Sequence, residues 1–506
     1  MGKCTGGAWE GNRMNSLSFG GDSGLGGNCR MDRPSGVGPV QKGTSAMLWR
    51  HLYLARACSA AGLVSGMMFL GGSIATAQTP AAAPVHSEPS APPVEVATET
   101  VDLLRASKAG DLTVVAHGQG QDRVRMSIRN TTNRRLNVVI PPGMIAASKL
   151  AQPGGAGGRG VQSIGLGSVT NREGAFGEFQ GEAAVAGLRS VPPTTDAATR
   201  SVAVPARETV DVSVPGVCLN YGLPAPTPRD TFVLMDVDAY TTDLRIRKAL
   251  RSLATLGTSH GVAQAVMWRV CNDLSFEMMM EQSAGKVMNV HEIALASRFV
   301  ETLEESKAAD LVEQAALTES RIFVQVEGEG ALARDARRLQ GQLEGLHVMG
   351  MPLKVVETET IPPSSAPALA LKVILTEAKT GETRGRIVVN ACSEPNAWSP
   401  FGKVAFRENS SISVLDGPTL SKSIDRALAG AFVTIKPARR SLGSTTLRLE
   451  NRLPFTISNV VVRAGNSSGA PSVPFQGVGV GPARSTLLPI QAANASLVEH
   501  VELNGL

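Results

Sequence analysis

A change of hydrophobic period near residue 218 limits most strongly what this chain can fold into. Before it, RVRMSIRN carries Val124, Met126 and Ile128 at alternate positions, and RRLNVVIPPG repeats the pattern with Leu136, Val138 and Ile140. A period of two places such residues on one face of a strand. SVAVPARETVDVSVPGVCLN adds two further strands about an Ala206-Arg207-Glu208 turn. Four short strands punctuated by Asn, Pro and Gly predict a β-sandwich over 99–280. After Cys218 the period becomes helical. DLRIRKALRSLATL sets Ile246, Leu250 and Leu253 on one face with Gly257 as its C-terminal cap, and Ser259 caps GVAQAVMWRVCN. The two runs predict a helical hairpin packed on the strands.

The alternation of types continues. Asn289 with Glu292 gives a capping-box start to a helix with Ile293, Ala296 and Val300 on one face, within a helical connector at 281–318. Between 319 and 437, RIFVQVE, the amphipathic ALARDARRLQGQLEGL, three strands (LKVVETE, ALALKVILTEA, RGRIVVNAC) and a closing helix behind Gly417-Pro418 give a small α/β domain. Strand patterns return at 438–506 and predict a C-terminal β-sandwich. There LRLENRLPFTISNVVVRAG is built like RMSIRNTTNRRLNVVIPPG near the start: a strand closed by Asn, a short turn, then a Val-rich strand. The fold class expected is therefore multi-domain α+β, with β-sandwich modules at both ends and a helical segment and small α/β sandwich between. Aromatic residues make up only 4% of the chain, so its cores rest on Val, Leu, Ile, Ala and Met.

One segment addresses the chain to a compartment. Residues 47–77 have a basic start (Arg50, His51, Arg56), an apolar stretch over 57–74 and Ala75-Thr76-Ala77, the small-x-small pattern of a signal peptidase site. This reads as a signal peptide cleaved after Ala77. Residues 1–46 read as a mis-assigned N-terminal extension and 78–98 as a Pro/Ala-rich linker. The alternative is membrane anchoring through 57–74, whose length is marginal against the roughly 20 residues of a spanning helix. Removing 1–77 leaves 42 basic and 41 acidic residues, so the net charge falls from +5 to +1. A near-neutral mature chain lacks the charge excess of a nucleic-acid-binding protein. An unknown protein or cell-envelope partner is expected instead.

Three cysteines remain after cleavage: Cys218, Cys271 and Cys392. In an oxidising compartment, Cys218 and Cys271 could close a disulfide loop of about 50 residues, contributing roughly 4 kcal/mol by the chain-entropy model. Cys392 is left as a buried thiol. GTSHG at 257–261 fits the nucleophile-elbow pattern around Ser259, the basis of a serine-hydrolase alternative, although that turn requires a strand before it and here a helix precedes. The formal G-x-G-x-x-G at Gly155, Gly157 and Gly160 sits in a Gly-rich insertion without the flanking strand and helix of a phosphate loop. The histidines are scattered and no Cys pair has zinc spacing, so neither a metal nor any other cofactor is expected.

A further motif lies in AQAVMW at 263–268, where Gln264 precedes Trp268 by four residues and CLN stands earlier at 218–220. The pair resembles the thioester domains of bacterial surface adhesins, in which a Gln side chain is joined to a Cys thiol. The resemblance implies Cys218 and Gln264 as the thioester, with Trp268 beside it, in a covalent adhesin. Ala263 stands where that family carries Thr, and the 46 residues from Cys218 to Gln264 form a shorter separation than in those domains. The chain as a whole resembles uncharacterised exported bacterial proteins built from Ala-, Gly- and Val-rich β modules, which implies no activity. The function expected is that of a secreted, non-enzymatic protein of the periplasm or cell surface, acting by binding or assembly.

Overall fold

The computed structural model describes residues 99–148, 160–167, 201–283, 287–307, 310–357, 360–441, 444–464, 472–475, 480–488 and 495–506. The leader at 47–77, the linker up to residue 98 and nearly all of the Gly-rich insertion lie outside the described residues. The fold is mixed α+β, as the change of period requires.

The first module contains β1 (Glu99–Asp102), α1 (Leu103–Ala109), β2 (Leu112–Gly118), β3 (Arg123–Asn130), β4 (Leu136–Val139), β5 (Met144–Ser148), β6 (Ile164–Leu166), β7 (Ser201–Val204), β8 (Thr209–Cys218) and β9 (Thr231–Asp236). Its main sheet is a closed barrel in the order β2-β3-β8-β6-β5-β9, with β1-β4-β7 as a separate three-stranded sheet. The barrel corrects the sandwich expected over 99–280. Its physical cause is β9, TFVLMD, which the alternation pattern does not reveal. β9 bonds β2 at one flank and β5 at the other, so it joins two edges that would otherwise stay open. Closure removes unpaired edge groups. Val124, Met126, Ile128, Val212 and Val214 fill the interior.

Helices follow: α2 (Val237–Tyr240), α3 (Leu244–Leu256), α4 (His260–Asn272), α5 (Phe276–Ser283), α6 (Val290–Glu305) and α7 (Gln314–Thr318). The capping box of Asn289 and Glu292 is present with both reciprocal hydrogen bonds. The third unit holds β10 (Ile322–Gly328), α8 (Ala333–Leu343), β11 (His347–Val348), β12 (Met351–Val355), β13 (Ala368–Glu377), β14 (Thr383–Glu394), β15 (Ala397–Glu408) and α9 (Gly417–Phe432). Its six-stranded sheet runs β11-β12-β10-β13-β14-β15. Leu369, Leu371, Val373, Ile387 and Val389 turn one face of that sheet into a core shared with α8 and α9. The edge strand β15 has no counterpart in the sequence reading, because Pro400 and two register shifts against β14 break its alternation.

The chain ends in β16 (Val433–Ser441), β17 (Ser444–Asn451), β18 (Ile457–Ala464), β19 (Ser472–Phe475), β20 (Ser485–Leu488) and β21 (Ala495–Leu503), arranged as two sheets, β16-β17-β20 and β19-β18-β21. The strand pairings extend the short sequence likeness between the two β modules. β2, β3 and β8 are neighbours as β16, β17 and β20 are, and β4 pairs antiparallel with β7 as β18 does with β19. In both modules the chain passes from one sheet to the other through an Asn, from β3 to β4 and from β17 to β18, and later returns from β7 to β8 and from β19 to β20; in the first module the barrel strands β5 and β6 come between. A single hydrophobic cluster then runs from Val217 and Leu219 through α3, α4 and α6 to the six-stranded sheet and on to Leu447, Leu449 and Val501.

Candidate functional site

The structure brings Cys218 and Gln264 together, though through unexpected atoms. The last residue of β8 presents its backbone to α4. Gln264 Nε2 donates to the Cys218 carbonyl at 2.9 Å, and the Cys218 amide N–H donates to Gln264 Oε1 at 2.9 Å. A carboxamide carries a donor and an acceptor side by side, so one Gln satisfies both main-chain groups of a strand residue. The thiol belongs to the barrel core and donates to the Gln121 carbonyl at 3.0 Å. Burial pushes its pKa up to about 12, with the nearby Asp122 carboxylate adding to the rise. That keeps it a thiol and withholds the thiolate that a nucleophile needs. Trp268 is half-buried and meets Tyr221 edge-on, with ring centroids 5.1 Å apart.

Cys218, Cys271 and Cys392 are all free thiols, so the disulfide expected between Cys218 and Cys271 is absent from the structure. The reason is packing. Cys218 points into the barrel core, whereas Cys271 lies against the helical core on the other cluster. Cys392 is buried as expected and donates to the Glu394 carbonyl at 2.9 Å.

Ser259 sits at a junction of two helices, and the sequence around it is explained there. Its Oγ accepts from the Val262 N–H as the N-cap of α4 and donates to Glu292 Oε1 at 2.9 Å. Glu292 is 1% exposed and is held by Arg484 Nη2 at 2.6 Å and by the Asn289 N–H at 2.9 Å. Gly257 closes α3 at φ +70°, and a Cβ on Gly261 would stand 2.3 Å from the Glu292 carboxyl carbon. Both glycines of GTSHG are thus accounted for by a helix cap and a buried carboxylate. The loop at 480–484 docks here, with Asn289 Nδ2 donating to the Pro482 carbonyl at 2.8 Å. The cluster fastens the C-terminal module to the helices.

A surface that the sequence reading passed over lies on the six-stranded sheet, on the face turned away from α8 and α9. α6 covers one end of that face around Ala294 and Cys392. The other end is open. Register places Thr376, Arg384 and Arg407 in one row, Ile374, Arg386 and Ala405 in the next, and Lys372, Val388 and Lys403 in the third. The strands enclose an open groove of about 510 Å³ lined by Arg384, Arg386 and Arg407 from β14 and β15, with Ile374 and Thr376 of β13 and Glu329. Phe406 turns the other way, its ring over Gly385 and within 2.1 Å of where a Cβ would stand. Among the described residues Arg386, Lys403 and Arg407 have no ion-pair partner, and Arg384 has only Glu382 at 3.9 Å.

The near-neutral charge expected of the mature chain conceals this basic cluster on one sheet face. Net charge counts cations without regard to face. The alternate spacing of RGR at 384–386 and of Lys403 and Arg407 is the signal that could have found them. No group of three or more His, Cys, Asp or Glu residues suited to a metal ion occurs among the described residues. No protein-family model matches the chain, and no curated protein matches its sequence.

Proposed function

We propose that this chain is a secreted, non-enzymatic protein of the periplasm or cell surface that works by binding, and that the open end of the six-stranded sheet is its contact surface. The signal-peptide pattern at 47–77, with cleavage after Ala77, supports the location. The single observation that carries the binding role is the groove in which Arg384, Arg386 and Arg407 converge, three guanidiniums against Glu329 on the wall and Glu382 at 3.9 Å from Arg384. Directly opposed like charges on neighbouring strands are destabilising. Arg384 and Arg407 form such a pair. Edge protection accounts for cations on β15, but Arg384 and Arg386 lie one strand inside the edge. The residues that suggested covalent chemistry, by contrast, have structural partners: Gln264 holds a strand end and Ser259 caps a helix.

The test is sedimentation of the purified full chain with the envelope fraction of its host. Wild type is expected in the pellet, and R386E/R407E in the supernatant with an unchanged melting profile. Equal pelleting of the two proteins would remove the groove from the reading. The intact mass of the exported protein tests the cleavage site.

A further inference from the structure

We infer that the groove on β13, β14 and β15 binds an acidic oligosaccharide, a glycan whose rings bear carboxylates. This rests on the binding role proposed above and names its ligand class. Three rows of side chains at two-residue intervals span roughly 14 Å along the strands, so the cations address a ligand several units long rather than a single anion. Arginine forks pair bidentately with carboxylates, and Arg384, Arg386 and Arg407 supply three of them.

Other polyanions suit the groove less well. Single-stranded nucleic acid is held by bases stacked on aromatic platforms, and the side chains on this end of the face are aliphatic, hydroxylic or charged. Glu329 on the groove wall accepts from ring hydroxyls, which a sugar offers in number, and Thr376 can donate or accept beside it. An extended acidic peptide gains its affinity by main-chain pairing at a sheet edge. The backbone of β14 is already bonded on both sides, by β13 and β15. The face therefore offers side chains alone, and Ile374 and Ala405 give the aliphatic floor on which a sugar ring can lie.

The experiment is fluorescence anisotropy of an end-labelled oligogalacturonate titrated with the full chain near physiological ionic strength. The comparison probes are a neutral dextrin of equal length, poly-L-glutamate and an oligo-dT. Saturable binding is expected for the oligogalacturonate alone, weakening at least tenfold in R386E/R407E. R105E/R129E, which changes the net charge equally at exposed positions of the first module, should bind like wild type. No saturable binding of the uronate, equal binding of glutamate or oligo-dT, or equal loss in the R105E/R129E control would each overturn the assignment. If the uronate fails while R386E/R407E still abolishes envelope sedimentation, the glycan assignment falls and the contact surface stands. If both fail, both readings fall.

Discussion

Replacing Gln264 with Leu asks what the AQAVMW segment is for. Leu is close to Gln in volume and removes only the amide. Two hydrogen bonds of 2.9 Å are lost, and the N–H and C=O of Cys218 stay buried between β8 and α4. A net bond is worth about 1 kcal/mol, and an orphaned buried polar group costs about 1–3 kcal/mol. Two orphans against some gain in apolar contact give an expected loss of about 2–4 kcal/mol. Cys218→Ala leaves both backbone bonds in place and removes one thiol from the barrel core, for which about 1 kcal/mol is expected. The ranking is therefore Gln264→Leu well above Cys218→Ala, read from urea midpoints at neutral pH.

Gln264→Glu sharpens the test. A carboxylate there faces the Cys218 carbonyl and can donate to it only when protonated. The folded-state pKa of this Glu is raised above its unfolded value, so the protein is destabilised at neutral pH and regains stability as pH falls toward the ordinary carboxyl range. A covalent Cys218–Gln264 link would give different results. Intact mass would show loss of ammonia, and Cys218→Ala would then cost as much as Gln264→Leu. Either outcome would refute the reasoning.

Four further outcomes are expected. Arg484→Met leaves Glu292 buried without its cation and should cost about 3–5 kcal/mol in denaturant unfolding; Ser259→Ala, which removes the N-cap and the hydrogen bond donated to Glu292, should cost about 2–3 kcal/mol. His500 is held up to about 10 by hydrogen bonds to Asp425 and then Glu502. Its contribution is full below the unfolded value near 6.5 and fades as pH rises toward 10, so His500→Gln should flatten the stability profile across that window. Arg407→Glu converts the opposed pair with Arg384 into an attractive one and should raise stability by about 0.2–1 kcal/mol in the absence of ligand. Asn451→Asp keeps an acceptor for the Leu453 N–H but loses the donors to Phe455, Val480 and Gly481, so it should unfold more readily than Asn130→Asp, which loses two.

Elements with a sustained period were legible in the sequence. The alternation at Val124, Met126 and Ile128 is β3, and the caps Gly257, Ser259 and Asn289 bound their helices as their chemistry requires. Barrel closure was not legible, because closure is a property of pairing and β9 has no pattern that names its partners. The open sheet face was hidden for a related reason. Arg384, Arg386 and Arg407 read singly as solvated charges, and only the antiparallel register of β14 and β15 puts them in one groove. The proximity of Cys218 and Gln264 was anticipated from a motif, while which atoms meet depends on the direction each side chain takes from its own element.

Gln264 is one case of a device used at several places where this chain crosses between layers. Asn130 ends β3, accepts from the Thr132 N–H at 2.9 Å and donates to the carbonyls of Arg134 and Val204. Asn451 ends β17, accepts from the Leu453 N–H at 2.9 Å and donates to the carbonyls of Phe455, Val480 and Gly481. The offsets within each turn are the same, two residues for the acceptor and four for the donor. Asn504, near the chain end, accepts from the Leu506 N–H and donates to the Gly257 carbonyl at the end of α3. A strand that leaves its sheet strands backbone groups in an apolar interior, where each costs free energy unless paired. An uncharged carboxamide pairs such groups without importing a charge that would need a partner of its own. At Asn130, Asn451 and Gln264 the amide marks a layer crossing, and AQAVMW places one where the barrel meets the helices.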